Sequence, residues 1–223
     1  MSSSPTILSD LVYQITAADL APFPPPSRMQ EQSFQVSRTA LDQAAQQILP
    51  RYRQSPLSFA ERVQLTKHYH LANFPEILVS ISHSRRYGAA LVGSLEVNPQ
   101  LQGIGIDLEY AARPLPATVI KRIQHPQDNL AKIPDRDDQG HPLPTALAFW
   151  CLKEACFKAV AASHPEIKLL SAIWINYPYF GSTLPEAQPA NSPAPHLQGM
   201  CQVHLETTLP QALVLAQAAL VLN

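Results

Sequence analysis

Two acid-bearing segments constrain this chain more than anything else in it. The first, Ile104-Gly105-Ile106-Asp107-Leu108-Glu109, alternates as a strand does, so Asp107 and Glu109 share one face. The second, Phe149-Trp150-Cys151-Leu152-Lys153-Glu154-Ala155-Cys156-Phe157-Lys158, has the character of a helix, on which Glu154 and Lys158 are four apart and meet. Two carboxylates side by side repel unless a cation lies between them. Packing this helix on this strand would gather three carboxylates beside a lysine, an all-oxygen set suited to Mg2+, with Mn2+ as an alternative, and to a phosphate-bearing substrate.

The remaining pattern sets the frame. Strands are expected over residues 11–16, 76–82, 87–96, 103–110, 172–177, 200–207 and 212–222, and helices over 34–49, 58–65, 118–123 and 147–162. The order helix then strands occurs once in each half. This predicts an α+β fold of two similar α/β lobes in one chain, residues 1–101 and 102–223. The stretch 124–141 is expected to be an exposed loop, and the proline-rich stretch 181–199 a surface insertion.

Composition removes several classes of function. With 16 basic and 17 acidic residues there is no global field for a nucleic acid, so anion binding has to be local. Three cysteines, two of them five apart on the predicted helix, fit neither a disulfide framework nor a zinc site, and reduced thiols in a cytoplasm are expected. No basic, apolar leader and no long apolar stretch is visible, so a cytoplasmic protein without membrane contact is expected.

A third segment, Val79-Ser80-Ile81-Ser82-His83-Ser84, reads as a strand ending in a polar turn. Ser-His-Ser, Gly-Ile-Asp-Leu-Glu and Phe-Trp-Cys-Leu-Lys-Glu-Ala-Cys-Phe-Lys, in this order, resemble the motifs of the 4'-phosphopantetheinyl transferases of the larger, pseudo-dimeric type. That resemblance implies two pseudo-twofold lobes with coenzyme A between them, and transfer of its 4'-phosphopantetheine arm to a serine of an apo acyl or peptidyl carrier protein. It further implies Asp107, Glu109 and Glu154 as metal ligands, Glu154 also as proton acceptor, and Lys158 as the phosphate contact that stabilises developing charge. Lys153 would support those phosphates, Ser82 and His83 would bind the 3'-phosphate end of coenzyme A, and Arg38, in Ser37-Arg38-Thr39-Ala40-Leu41, would reach the nucleotide. Carriers of this kind are acidic beside the modified serine, which makes Arg113, Lys121, Arg122, Lys132 and Arg136 candidate contacts. Because one chain would build the whole site, a monomer is expected. Two rival readings are a metal-dependent phosphodiester hydrolase and a non-catalytic module that binds coenzyme A or a carrier protein.

Overall fold

A computed structural model describes residues 7–17, 26–48, 70–71, 74–183 and 196–221. The predicted helix over 58–65 and the middle of the proline-rich stretch lie outside these residues. Strand β1 (Val12–Ala17) is followed by helix α1 (Pro26–Ile48) and by strands β2 (His70–Leu71), β3 (Phe74–Ser84) and β4 (Tyr87–Ser94). These strands form a four-stranded sheet in the order β1-β4-β3-β2. Strand β5 (Leu101–Tyr110), helices α2 (Ala117–Ile123) and α3 (Thr145–Ala161), and strands β6 (Ile173–Asn176), β7 (Tyr179–Thr183), β8 (His196–Glu206) and β9 (Leu213–Val221) follow. The second sheet has the order β5-β9-β8-β7-β6, which leaves β5 at an edge. The fold is therefore α+β, with two sheets and few helices.

The apolar residues sort into three layers of core. Ala40, Leu41, Ala44 and Ala45 of α1, recurring at helical spacing, pack on Ile77, Val79, Ala90 and Val92 of the first sheet. The opposite face of that sheet sends Leu78, Ala89 and Leu91 against Ile104, Ile106, Leu108, Leu213 and Leu215 of the second. Helix α3 closes the outer face of the second sheet, burying Leu147, Cys151, Leu152, Ala155 and Ala159 against β8 and β9. The layers thus run α1, four-stranded sheet, five-stranded sheet, α3. Strands β4 and β9, covered on both faces, accordingly read as continuous buried runs rather than alternating ones.

Three expectations are revised. The stretch 181–199 is not an insertion at its ends, where residues 181–183 belong to β7 and 196–199 to β8 and pair with one another in the second sheet. Helix α1 begins at Pro26 rather than at residue 34. A proline suits the first helical turn, where its missing N–H has no partner to lose. The stretch 124–141 is not a loose loop, because two buried carboxylates tie it down. Asp128 accepts from the amides of His125 (2.6 Å) and Ile175 (2.7 Å), and Asp137 accepts from those of Gln139 (3.0 Å), His141 (2.8 Å) and Leu205 (3.1 Å). Ile123, Ile133 and Leu143 join the core under α3. Among the described residues no helix is long and apolar enough to cross a membrane.

Candidate active site

The register of one helix on one strand builds the site. On β5, Ile104, Ile106, Leu108 and Tyr110 point into the core between the sheets, which turns Gly103, Gly105, Asp107 and Glu109 toward α3. The two glycines let the helix lie directly on the strand. A Cβ at Gly103 would stand 1.9 Å from the Ala159 carbonyl oxygen, and one at Gly105 would stand 1.8 Å from that of Ala155. Four helical residues rise about 6 Å and two strand residues about 6.6 Å, so the contacts stay in step. The next strand position, Asp107, then falls level with Cys151, on the face of the helix where Glu154 lies one turn on and Lys158 reaches back from two turns on.

Asp107 is the centre of the polar contacts. Its Oδ1 accepts from the Ser82 hydroxyl at 2.7 Å and from Lys158 Nζ at 2.9 Å, and Lys158 also donates to the Ile106 carbonyl at 2.9 Å. Its Oδ2 is buried and has no hydrogen-bond partner among the described residues. Burial, and after it the charge of Asp107, raises Glu154 above the usual carboxylate range, while Lys158 and Arg113 oppose the rise. Burial, the charge of Asp107 and a contact of the thiol with the Asp107 carboxylate hold the enclosed Cys151 in its neutral form. Glu109 is engaged one step further along the strand. It accepts from the Ser84 hydroxyl at 2.7 Å and from Arg113, whose guanidinium also lies over the Trp150 ring at 5.7 Å.

Among the described residues no three His, Cys, Asp or Glu side chains stand together as a ready metal cluster. The structure brings Asp107 and Glu154 within each other's field and gives Glu109 to Ser84 and Arg113. The donor set nevertheless fits a hard divalent cation. A buried carboxylate oxygen without a partner is costly, and the Asp107 charge adds to burial in raising the Glu154 carboxyl beside it, a contribution that a cation would relieve.

The other sequence-selected residues fall in two places. Consecutive strand residues face opposite sides, so His83 is exposed on the side away from Ser82 and Ser84. Its cross-strand partner is Gly88, where a Cβ would meet the Ser37 amide nitrogen at 2.3 Å, which sets the Val36 to Arg38 turn of α1 over this pair. Arg38 is buried, donates to Ser37 Oγ at 2.8 Å, and is lowered by burial to about 10, so it stays charged at neutral pH. His83 therefore points to the side of β3 on which α1 carries Ser37 and Arg38. Lys153 needs correction as a phosphate contact. It is fully buried on the other side of α3, where its ammonium pairs with Asp128 Oδ2 at 2.8 Å and donates to the Ile173 carbonyl.

Sequence reasoning gave no role to Ser80, Ser84, Asp128 or Asp137. Ser84 was visible as the last residue of Ser-His-Ser, whereas the two aspartates show in the sequence only as ordinary turn residues, and the partners that tie them to the rest of the fold, Lys153 and Ile175 for Asp128 and Leu205 for Asp137, lie far along the chain. A separate cavity of about 460 Å³, lined by Tyr13, Arg136, Asp138, Tyr177, Gln202 and His204 among others, includes none of the acids of the site.

Residues 103–176 match the family described as the 4'-phosphopantetheinyl transferase superfamily. This segment is about a third of the chain and contains most of β5 with α2, α3 and β6, hence Asp107, Glu109, Glu154 and Lys158. The match supports a transferase of the phosphopantetheinyl kind, a family that uses coenzyme A with a carrier protein. No curated protein matches the sequence.

Proposed function

We propose that this protein moves the 4'-phosphopantetheine arm of coenzyme A onto a serine of an apo acyl or peptidyl carrier protein and releases adenosine 3',5'-bisphosphate. The observation that carries this reading is the Asp107 carboxylate, with one oxygen held by Lys158 and Ser82, the other unpartnered, and a raised Glu154 alongside. On this reading the chain is two lobes, residues 1–101 and 102–223, with coenzyme A between them. It works in the cytoplasm as a monomer.

Asp107, Glu109 and Glu154 are the residues that would hold Mg2+ or Mn2+. The chemistry such an ion would supply, held by these residues, is neutralisation of negative charge on the pyrophosphate. Lys158, already reaching into the site, contacts a phosphate oxygen and stabilises the charge that develops there. Glu154 accepts the proton of the attacking carrier serine, and its raised basicity suits that task. The serine oxygen then bonds to the phosphorus that bears the pantetheine arm. The bond from that phosphorus to the bridging oxygen breaks, and the bisphosphate leaves with the electron pair. Arg38 and His83 take the nucleotide's 3'-phosphate end, where a buried cation and an exposed imidazole offer donors.

The test is incubation with Mg2+, coenzyme A and a panel of apo carriers, followed by intact-protein mass. A phosphopantetheine-sized gain on one carrier is expected from the wild type. Asp107→Ala should show no gain, and Glu154→Gln should lower the rate by about 10²–10⁴-fold, the usual contribution of a general base. Both variants should keep the wild-type circular dichroism spectrum. Normal transfer by either would refute the assignment.

A further inference from the structure

We propose that Ser80, Ser82 and Ser84 of β3 form a positioning row for the acids of β5, and that Ser82 serves Asp107 rather than a phosphate of the substrate. The inference rests on the reading of Asp107 as a cation ligand given above. The three serines alternate along β3 and so face β5 together. Ser80 Oγ accepts from the Ile106 amide at 3.1 Å, Ser82 donates to Asp107 Oδ1 at 2.7 Å, and Ser84 donates to Glu109 Oε2 at 2.7 Å. Because β5 is the edge of its sheet, its outward groups have no neighbouring strand to bond. The serine row of the first sheet supplies those partners and thereby locks the second sheet's acids in register with the first.

Counting protons separates the two roles of Ser82. A serine hydroxyl has one proton, and a phosphate at neutral pH offers mainly acceptors. Ser82 therefore cannot donate to Asp107 and to a phosphate at once. Both groups are largely buried, at 8% and 6% exposure, where a hydroxyl-to-carboxylate bond of this length is among the stronger ones. Asp107 Oδ1 is thus held from two directions, by β3 through Ser82 and by α3 through Lys158, and both bonds oppose rotation of the carboxylate. Its Oδ2 is the oxygen left for a cation.

The experiment compares wild type with Ser82→Ala and Ser82→Thr in two binding assays that need no turnover. Mn2+ is titrated by electron paramagnetic resonance, and coenzyme A binding is measured by equilibrium dialysis in the presence of a chelator. Ser82→Ala should weaken Mn2+ binding by about 10- to 100-fold, as loss of a ligand-orienting partner typically does. Its coenzyme A affinity should stay within about twofold, and Ser82→Thr, which keeps the hydroxyl, should recover most of the Mn2+ affinity. Weakened coenzyme A binding with unchanged Mn2+ binding, failure of threonine to rescue, or no Mn2+ binding by the wild type would each overturn the proposal. If the Mn2+ pattern appears but no carrier gains mass, the positioning role stands and the transferase reading fails.

Discussion

Two lysines five residues apart on α3 show how much a side chain's surroundings decide. Lys158 reaches the partly open site at Asp107, whereas Lys153 is fully enclosed with Asp128. An ion pair without solvent is weak evidence for stability as a whole, but removing one partner strands the other charge. Lys153→Met should therefore lower the unfolding free energy by about 3–5 kcal/mol, read from urea melts. Adding Asp128→Asn should recover part of the loss. Coenzyme A affinity of the folded Lys153→Met protein should be unchanged, and a selective loss of that affinity would return Lys153 to the substrate. Asp137 yields a pH prediction. Burial alone would raise its carboxyl, but the amides of Leu205 and His141 and the His141 ring outweigh it and hold Asp137 at about 2. Because the folded value is depressed, its stabilising effect is fully present above the unfolded value of about 4 and is lost as pH falls toward 2. The melting-temperature gap between wild type and Asp137→Asn should accordingly narrow across that window, and a constant gap would show that Asp137 acts by shape rather than charge. Neither aspartate stood out in the sequence, because beside its local turn bonds each depends on a partner 25 or more residues away, Lys153 and Ile175 for Asp128 and Leu205 for Asp137.

At the level of elements, the strand bearing Asp107 and Glu109 and the helix bearing Glu154 and Lys158 were legible, the strand by its alternation and the helix as a long apolar run that no Gly or Pro interrupts. The sequence pattern does not state how close the two come. Gly103 and Gly105 carry that information, and only as missing side chains. Gly105→Ala would drive a methyl to 1.8 Å from the Ala155 carbonyl oxygen, backbone that cannot swing aside. The helix must lift, so a loss of about 1–3 kcal/mol or more is expected in thermal or urea melts, together with loss of transfer in protein that remains folded. A stable, fully active Gly105→Ala protein would mean that the helix and its acids do not depend on this contact. Strand β7 escaped notice for a different reason. Its five residues, Tyr-Phe-Gly-Ser-Thr, are too short for a periodic signal and are fixed by pairing with β6 and β8. Helix α2 was expected over 118–123 and spans Ala117–Ile123, because its apolar residue Ile123 has a core to enter.

Across the whole molecule, charge is nearly balanced at 16 basic against 17 acidic residues, so a carrier protein has no global field to follow. A local one exists. Between β5 and α3, which together hold the candidate catalytic groups, Lys121, Arg122, Lys132 and Arg136 are exposed, and the segment bearing them is anchored by Asp128 and Asp137 instead of trailing freely. Lys121 and Arg122 also sit in the last turn of α2, where cations favour the helix dipole whatever else they do. The two roles separate in kinetics. A dipole contribution is a stability effect of a few tenths of a kcal/mol up to about 1 kcal/mol. A docking contribution steers association, and salt screens it over about 8 Å at physiological ionic strength. If an acidic carrier docks here, Lys121→Glu with Arg122→Glu should lower kcat/KM for the carrier by about tenfold or more at low salt, leave kcat nearly unchanged, and lose most of its effect near 0.5 M salt. Equal salt dependence for variant and wild type, with only a small drop in melting temperature, would assign the pair to α2 and leave the carrier to approach from another side.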